Sequence, residues 1–302
     1  MRPVLTLENA ITAVFASYQD YTGMQVGNHL ESLVTYTNRR TGEETDDITL
    51  VANSSSLLDL GVVNGNQILT WFQVTQNSLL MGQQESNGIA IAYSPALPMI
   101  KTPIAAKTRW KATSTASELG VSIHATLTAK VSPQELVSVP AGYFMAWPIT
   151  YNLSLSARGR TVSTASTTCF APYIGTVKSK DSNSTISLTA FSVEGGTVSF
   201  PPPVVTGTYP ASATPGSTIT INGFQFGFSQ GSSVVRIGSV DCDQILSWTD
   251  TQIQCIVPDT ASSGAVTVAT DTWTSNDSVI LKIPPQITAS LLLRGHGDQQ
   301  CR

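Results

Sequence analysis

Residues 247–264 read SWTDTQIQCIVPDTASSG, and the alternation in this stretch decides how the C-terminal part of the chain is read. Taken two at a time, Ile253, Cys255 and Val257 fall on one face and Gln252, Gln254 and Ile256 on the other. A period of two marks a half-buried β-strand, because successive side chains leave a pleated sheet on opposite sides. Pro258 stops the pairing, since it brings no N–H to a ladder. Gly264 then closes a polar turn before a second alternation, GAVTVATD. Cys255 is expected to point inward.

Working outward, STITING, SSVVRIG and DSVILKI join these two as short strands with Gly or Pro between them. Their spacing of roughly ten to fifteen residues suits an immunoglobulin-like β-sandwich. Residues 203–282 resemble the IPT/TIG domain family. The resemblance rests on Pro210 and Gly216 in the opening loop, Ile219, Ile221 and Gly223 in the next strand, and Phe226 and Gly227 in the turn after it. Thr251, Ile253 and Pro258 carry it into the later strand and its stop. It implies a scaffold used as spacer or adhesive surface. EGGTVSFPPP, from Glu194, combines glycine flexibility with proline stiffness, so 196–202 is expected to be a linker. IPPQITAS, beginning at Ile283, echoes PPPVVTGTYP, so the tail 283–302 is expected to open a truncated further repeat.

Upstream, Lys107 to Ser192 alternate almost throughout, and 86–195 is expected to form an antiparallel sheet domain, with turns at Gly142, Gly159 and Asp181 to Asn183. VSVPAGYF, CFAPYIGTVKS and ISLTAF are similar to a recurrent pattern in uncharacterised bacterial exported β-proteins. Some of those look like the curved half-barrels of lipoprotein carriers; the pattern tends to have glycine where this chain has Tyr173. Residues 1–85 read as an α+β segment, its own domain or part of the next. Leu7, Ile11, Val14, Phe15 and Tyr18 have helical spacing. RRTGEE is the expected tip of a hairpin, SSSLLDLGVVNGN a short serine-capped helix, and QILTWFQVTQNSLLMGQQ and GIAIAYSPALPMI strands separated by polar turns. The expected fold class is mainly β, an α+β or antiparallel N-terminal region followed by the sandwich.

Only 12% of the 302 residues are charged, about half the usual share, and the net charge is −4. Sparse charge and many hydroxyls describe an outward-facing β-protein, so an extracytoplasmic location is expected, although Glu8 and Asn9 interrupt any export signal. No apolar run reaches the roughly eighteen residues of a transmembrane helix.

Cys242 and Cys255 lie in one domain on neighbouring elements and are the disulfide candidate, the alternative being buried free thiols. Cys169 reads as a small core residue and Cys301 lies in the tail; without CxxC or CxxH spacing no zinc is expected. His124 should face solvent, opposite Ile123 and Ala125, and neither it nor His29 nor His296 sits in a nucleophile motif. Glu43, Glu44, Asp46 and Asp47 could hold Ca²⁺ with Thr45, or form a solvated tip across from Arg39 and Arg40. Between Pro203 and Leu281 one Arg236 stands against six aspartates, which excludes a nucleic-acid partner for the sandwich. Gly223, Gly227 and Gly231 open no helix and make no phosphate loop. Phe224, Phe226 and Phe228 alternate, some to plug the sandwich and some to face a partner.

The leading expectation is a non-catalytic binding or structural protein with no cofactor and a protein or carbohydrate partner. Two others stand beside it. One is an apolar-ligand carrier holding its ligand against Phe144, Trp147 and Phe170; the other is an accessory module of a polysaccharide-active enzyme, presenting Trp248 and Trp273.

Overall fold

The computed structural model describes residues 27–37, 40–50, 56–75, 77–118, 121–172, 174–192 and 201–285. The expected N-terminal helix, Arg39, Tyr173, His296, Cys301, most of the linker and most of the tail lie outside them. The chain divides into two units between Pro201 and Pro202.

Among the described residues of the first unit there are thirteen strands. They are β1 (His29–Tyr36), β2 (Thr41–Leu50), β3 (Ser56–Val63), β4 (Asn66–Thr75), β5 (Ser78–Ser86), β6 (Ile89–Lys101) and β7 (Arg109–Glu118). There follow β8 (Val121–Val131), β9 (Glu135–Val139), β10 (Gly142–Ala157), β11 (Arg160–Ala171), β12 (Gly175–Lys180) and β13 (Ser184–Ser192). Each pairs antiparallel with its neighbour, β10 pairs with both β8 and β11, and β13 pairs with β1. Twelve strands therefore close into a barrel, with β9 laid along the first half of β10.

This corrects the α+β expectation. SSSLLDLGVVNGN is not helical: Ser56–Val63 is β3, followed by the turn Asn64–Gly65 with φ of 49° and 80°. Two consecutive positive φ angles make a type I′ turn, which matches the twist of the strands it joins. Asn87–Gly88 and Arg158–Gly159 repeat the device between β5 and β6 and between β10 and β11. β5 carries residue 85 and pairs with β6 along a ladder that shifts register at Leu79/Leu80 and at Met81/Gln83.

Alternation sets the inner wall where it is strict. In β8, Ile123, Ala125, Leu127, Ala129 and Val131 are buried while His124 and Lys130 are exposed. β12–β13 and β6–β7 are each joined by three residue pairs, and in the second joint β6 runs on past the ladder. Side chains take over there: the Trp110 indole N–H donates to the Pro98 carbonyl at 2.8 Å, and the Tyr151 hydroxyl donates to that of Met99 at 2.7 Å. Both carbonyls thus gain the partners that a backbone ladder would otherwise supply. The β9–β10 hairpin reaches β13, where Ala141 N–H donates to Leu188 O and Phe144 meets Phe191 edge-on at 6.1 Å.

The second unit is a sandwich. One sheet runs β14 (Val204–Tyr209), β15 (Thr218–Phe224), β19 (Gln252–Ile256), β18 (Ile245–Trp248); the other runs β17 (Val240–Asp241), β16 (Val234–Ile237), β20 (Gly264–Ala269), β21 (Ile280–Leu281). Ile253, Cys255 and Val257 are buried, as their alternation predicts, together with Ile219, Ile221, Val235 and Val266. Pro258 lies just beyond β19. The Asn276 side chain imitates a strand, accepting from Val205 N–H and donating to Val205 O, each at 2.8 Å.

Candidate functional site

Three groups of residues hold chemistry. The first is the predicted cysteine pair. Cys255 is on β19 of one sheet, and Cys242 follows β17 of the other, its N–H donating to Val235 O of β16. Their sulfurs meet across the core at 3.1 Å, about 1 Å longer than a disulfide bond. The Cys255 thiol donates to Cys242 Sγ; this lowers the pKa of Cys242 and, with burial, raises that of Cys255. Both are free and buried here, as is Cys169, whose pKa burial raises.

The second group is acidic, and its arrangement differs from the expected hairpin tip. The four acids are all within β2, and strand alternation parts them. Asp46 pairs with buried Leu30 and Glu44 with buried Ser32, so these two face the barrel interior. Asp47 faces out, where it accepts from His29 Nδ1 at 2.7 Å, while Glu31 lies 3.4 Å from the other ring nitrogen. The Asp47 hydrogen bond is the main cause raising the pKa of His29. Divided between two faces, the acids cannot converge on one cation, and among the described residues no group of carboxylates, histidines and cysteines is placed to hold a metal ion.

Inside, a third carboxyl joins Glu44 and Asp46. Asp59 of β3 pairs with Ile48, two residues along the ladder from the Asp46–Gly61 pair, and so shares their face. Gly61 makes the room: a Cβ there would lie 3.1 Å from Asp46 Oδ1. Burial, and then the neighbouring carboxylates, push Asp46 up to about 7 and raise Glu44 and Asp59. Asp59 Oδ1 is buried with no hydrogen-bond partner. A carboxyl so placed keeps its proton far above the usual carboxylate range. Sequence reading missed Asp59 because only the β2–β3 register brings it to the others.

The third group is the loop after β15. Phe226 is 1% exposed and packs edge-on against Trp248 at 6.5 Å, and the Trp248 indole donates to Phe226 O. Asp250 accepts from Gly227 N–H. Phe228, two residues on, is 93% exposed. The alternation therefore divides as expected, with Phe226 as the plug and Phe228 outside. Trp248 and Trp273 are half-buried and form no exposed aromatic row. His124 faces outward as predicted, and Phe144 and Phe170 are buried.

Residues 203–290 match the IPT/TIG domain family, and this part of the chain is an IPT/TIG domain. No curated protein matches the chain. Among solved structures, an inferred lipoprotein of Parabacteroides distasonis is similar at 11% identity and a TM-score of 0.35, over 57% of this chain and 98% of its own. An inferred exported protein with a YmcC-like fold from Bacteroides fragilis is similar at 11% and 0.29, over 57% and 98%. The hypothetical lipoprotein YmcC of Escherichia coli gives 8% and 0.31, over 60% and 94%.

Proposed function

We propose that this chain is a non-catalytic, extracytoplasmic binding or structural protein whose IPT/TIG sandwich is an adhesive module or spacer. The observation that carries the reading is the division of roles in the sandwich. Its polar and aromatic groups brace the scaffold, and of the alternating Phe224, Phe226 and Phe228 only Phe228 is exposed, at 93%. A large apolar side chain held out on a braced loop is an anchor for a partner. In an oxidising compartment the Cys242–Cys255 contact closes to a disulfide that ties one sheet to the other.

Alkylating thiols in protein recovered from its native compartment, before and after unfolding, tests the location. Protection of Cys242 and Cys255 that only a reductant removes is expected; two freely alkylated thiols after unfolding count against an extracytoplasmic site. Turnover of any ester, glycoside or peptide substrate by the purified chain would remove the non-catalytic reading.

A second reading is the apolar-ligand carrier, favoured by the closed barrel, which has the shape of a container. Its named contacts need revision, since Phe144 and Phe170 are packed into the core. A cavity of about 330 Å³ among the described residues lies at the β3–β4 and β5–β6 turns, and its lining of Asn66, Gln67, Glu85 and Asn87 is too polar to take their place. Saturable enhancement of an apolar fluorescent probe, quenching Trp147 in step, would support this reading, and no enhancement would eliminate it.

A further inference from the structure

We propose that the outer face of β7, β8, β10 and β11 binds an acidic polysaccharide. The charges of the barrel are segregated along the chain. Residues 101–180 carry nine Lys and Arg against two acids, whereas residues 27–100 carry seven acids against two Arg. Because the strand order round the ring largely follows the sequence, the basic residues gather on one side of the wall.

Register arranges that side in cross-strand rows. Arg109 stands directly across from Lys130, and the same row continues through Thr150 and Thr167 to Lys180. Two residues along, Lys111, Thr128 and Asn152 line up; the row after that is Thr113, Thr126, Ser154 and Ser163. The hydroxyls are held in place by one another: Ser154 and Ser163 are 2.8 Å apart, Ser156 and Thr161 2.8 Å, Thr150 and Thr167 3.2 Å.

Like charges directly opposite one another destabilise an antiparallel pair. Arg109, Lys111 and Lys130 are exposed, and none enters an ion pair among the described residues. An anion lying along the row removes the repulsion. The rest of the face selects the kind of anion. A lipid surface needs apolar side chains to enter it, and single-stranded nucleic acid needs aromatic platforms. The described outward positions of β7 and β8 offer hydroxyls, cations and His124, with no large apolar side chain and no Phe, Tyr or Trp. Aligned hydroxyls beside fixed cations match a sugar chain that carries carboxylates. The inference concerns the barrel and stands apart from the reading of the sandwich.

Electrophoresis of the full chain through gels containing polygalacturonate or neutral dextran tests it. Retardation by polygalacturonate alone is expected, abolished by salt at about 0.5 M. The variant R109Q/K130Q is expected to bind about tenfold more weakly. Its thermal midpoint should be no lower than the parent's, and K282Q, which removes one exposed cation from the other unit, should bind as the parent does. Unchanged retardation of R109Q/K130Q, equal retardation by dextran, or stronger binding to phosphatidylglycerol vesicles or duplex DNA than to polygalacturonate would each overturn the proposal.

Discussion

The sandwich and the barrel are built from the same antiparallel ladders, yet they treat polar groups in opposite ways. The sandwich core is Ile, Val, Ala, Leu and Phe with one pair of thiols, and in β15, β16, β19 and β20 the inward positions follow the alternation of the strand. The barrel interior holds an apolar cluster around Leu97, Leu127, Ile149 and Phe170 and also encloses Glu44, Asp46 and Asp59. Two stacked sheets are held apart only by what fills the space between them, so a buried charge there has nothing to offset it. A closed ring is held by its ladder as well, and it tolerates carboxyls that remain protonated.

The largest break expected in this contrast is in the sandwich, where space is tightest. A Cβ on Gly223 would overlap both the carbonyl oxygen of Val204 and the ring of Phe226. Gly223→Ala should cost more than about 3 kcal/mol in a denaturant titration and leave the barrel transition in place. Gly207→Ala, which meets no atom within 4 Å, is the control and should be almost silent.

Next comes the thiol pair. Closing Cys242 to Cys255 should stabilise the sandwich alone by about 3 kcal/mol, read as the difference between oxidised and reduced protein. A shift of the barrel transition instead would mean that the units do not unfold separately.

In the barrel the corresponding lever is pH. Asp46 has its folded pKa raised from 3.8 to about 7, so between those values the folded chain keeps a proton that the unfolded chain has released. Stability therefore falls as pH rises through that window, by on the order of 4 kcal/mol. Raised values at Glu44 and Asp59 act with the same sign. Asp46→Asn should flatten the curve and raise the barrel's thermal midpoint at pH values above the window. An equal slope in parent and variant would show that the interior acids are ionised and solvated.

Smallest is Phe228→Ala, expected within about 0.5 kcal/mol of the parent because so exposed a ring contributes little to folding. A larger loss would make Phe228 part of the fold and remove it as an anchor.

How far the sequence can be read follows the same division. In β19 and β8 one face is apolar and the other polar, and burial matches the pattern residue by residue. In β3 both faces are mixed: Leu57, Asp59 and Gly61 share the inward face, while Leu58 and Leu60 occupy the other. No period of two survives there, and a serine-led leucine run imitates a capped helix. The β-turn signal, Asn64–Gly65, was present and was subordinate to that imitation.

The acids show the limit from the other side. Four carboxylates within five residues look like one cluster on paper, and the pleat makes them two.

By itself the sequence determined five of the eight described strands of the sandwich, the inward direction of Cys255, the Cys242 pairing candidate and the outward face of His124. Each depends on alternation or spacing within a short stretch, which local geometry enforces. Only the tertiary structure decided that the ring closes, that Asp59 joins Glu44 and Asp46, and that Arg109 stands opposite Lys130. Those outcomes depend on register between strands, and register is a property of a pair of segments that neither carries alone.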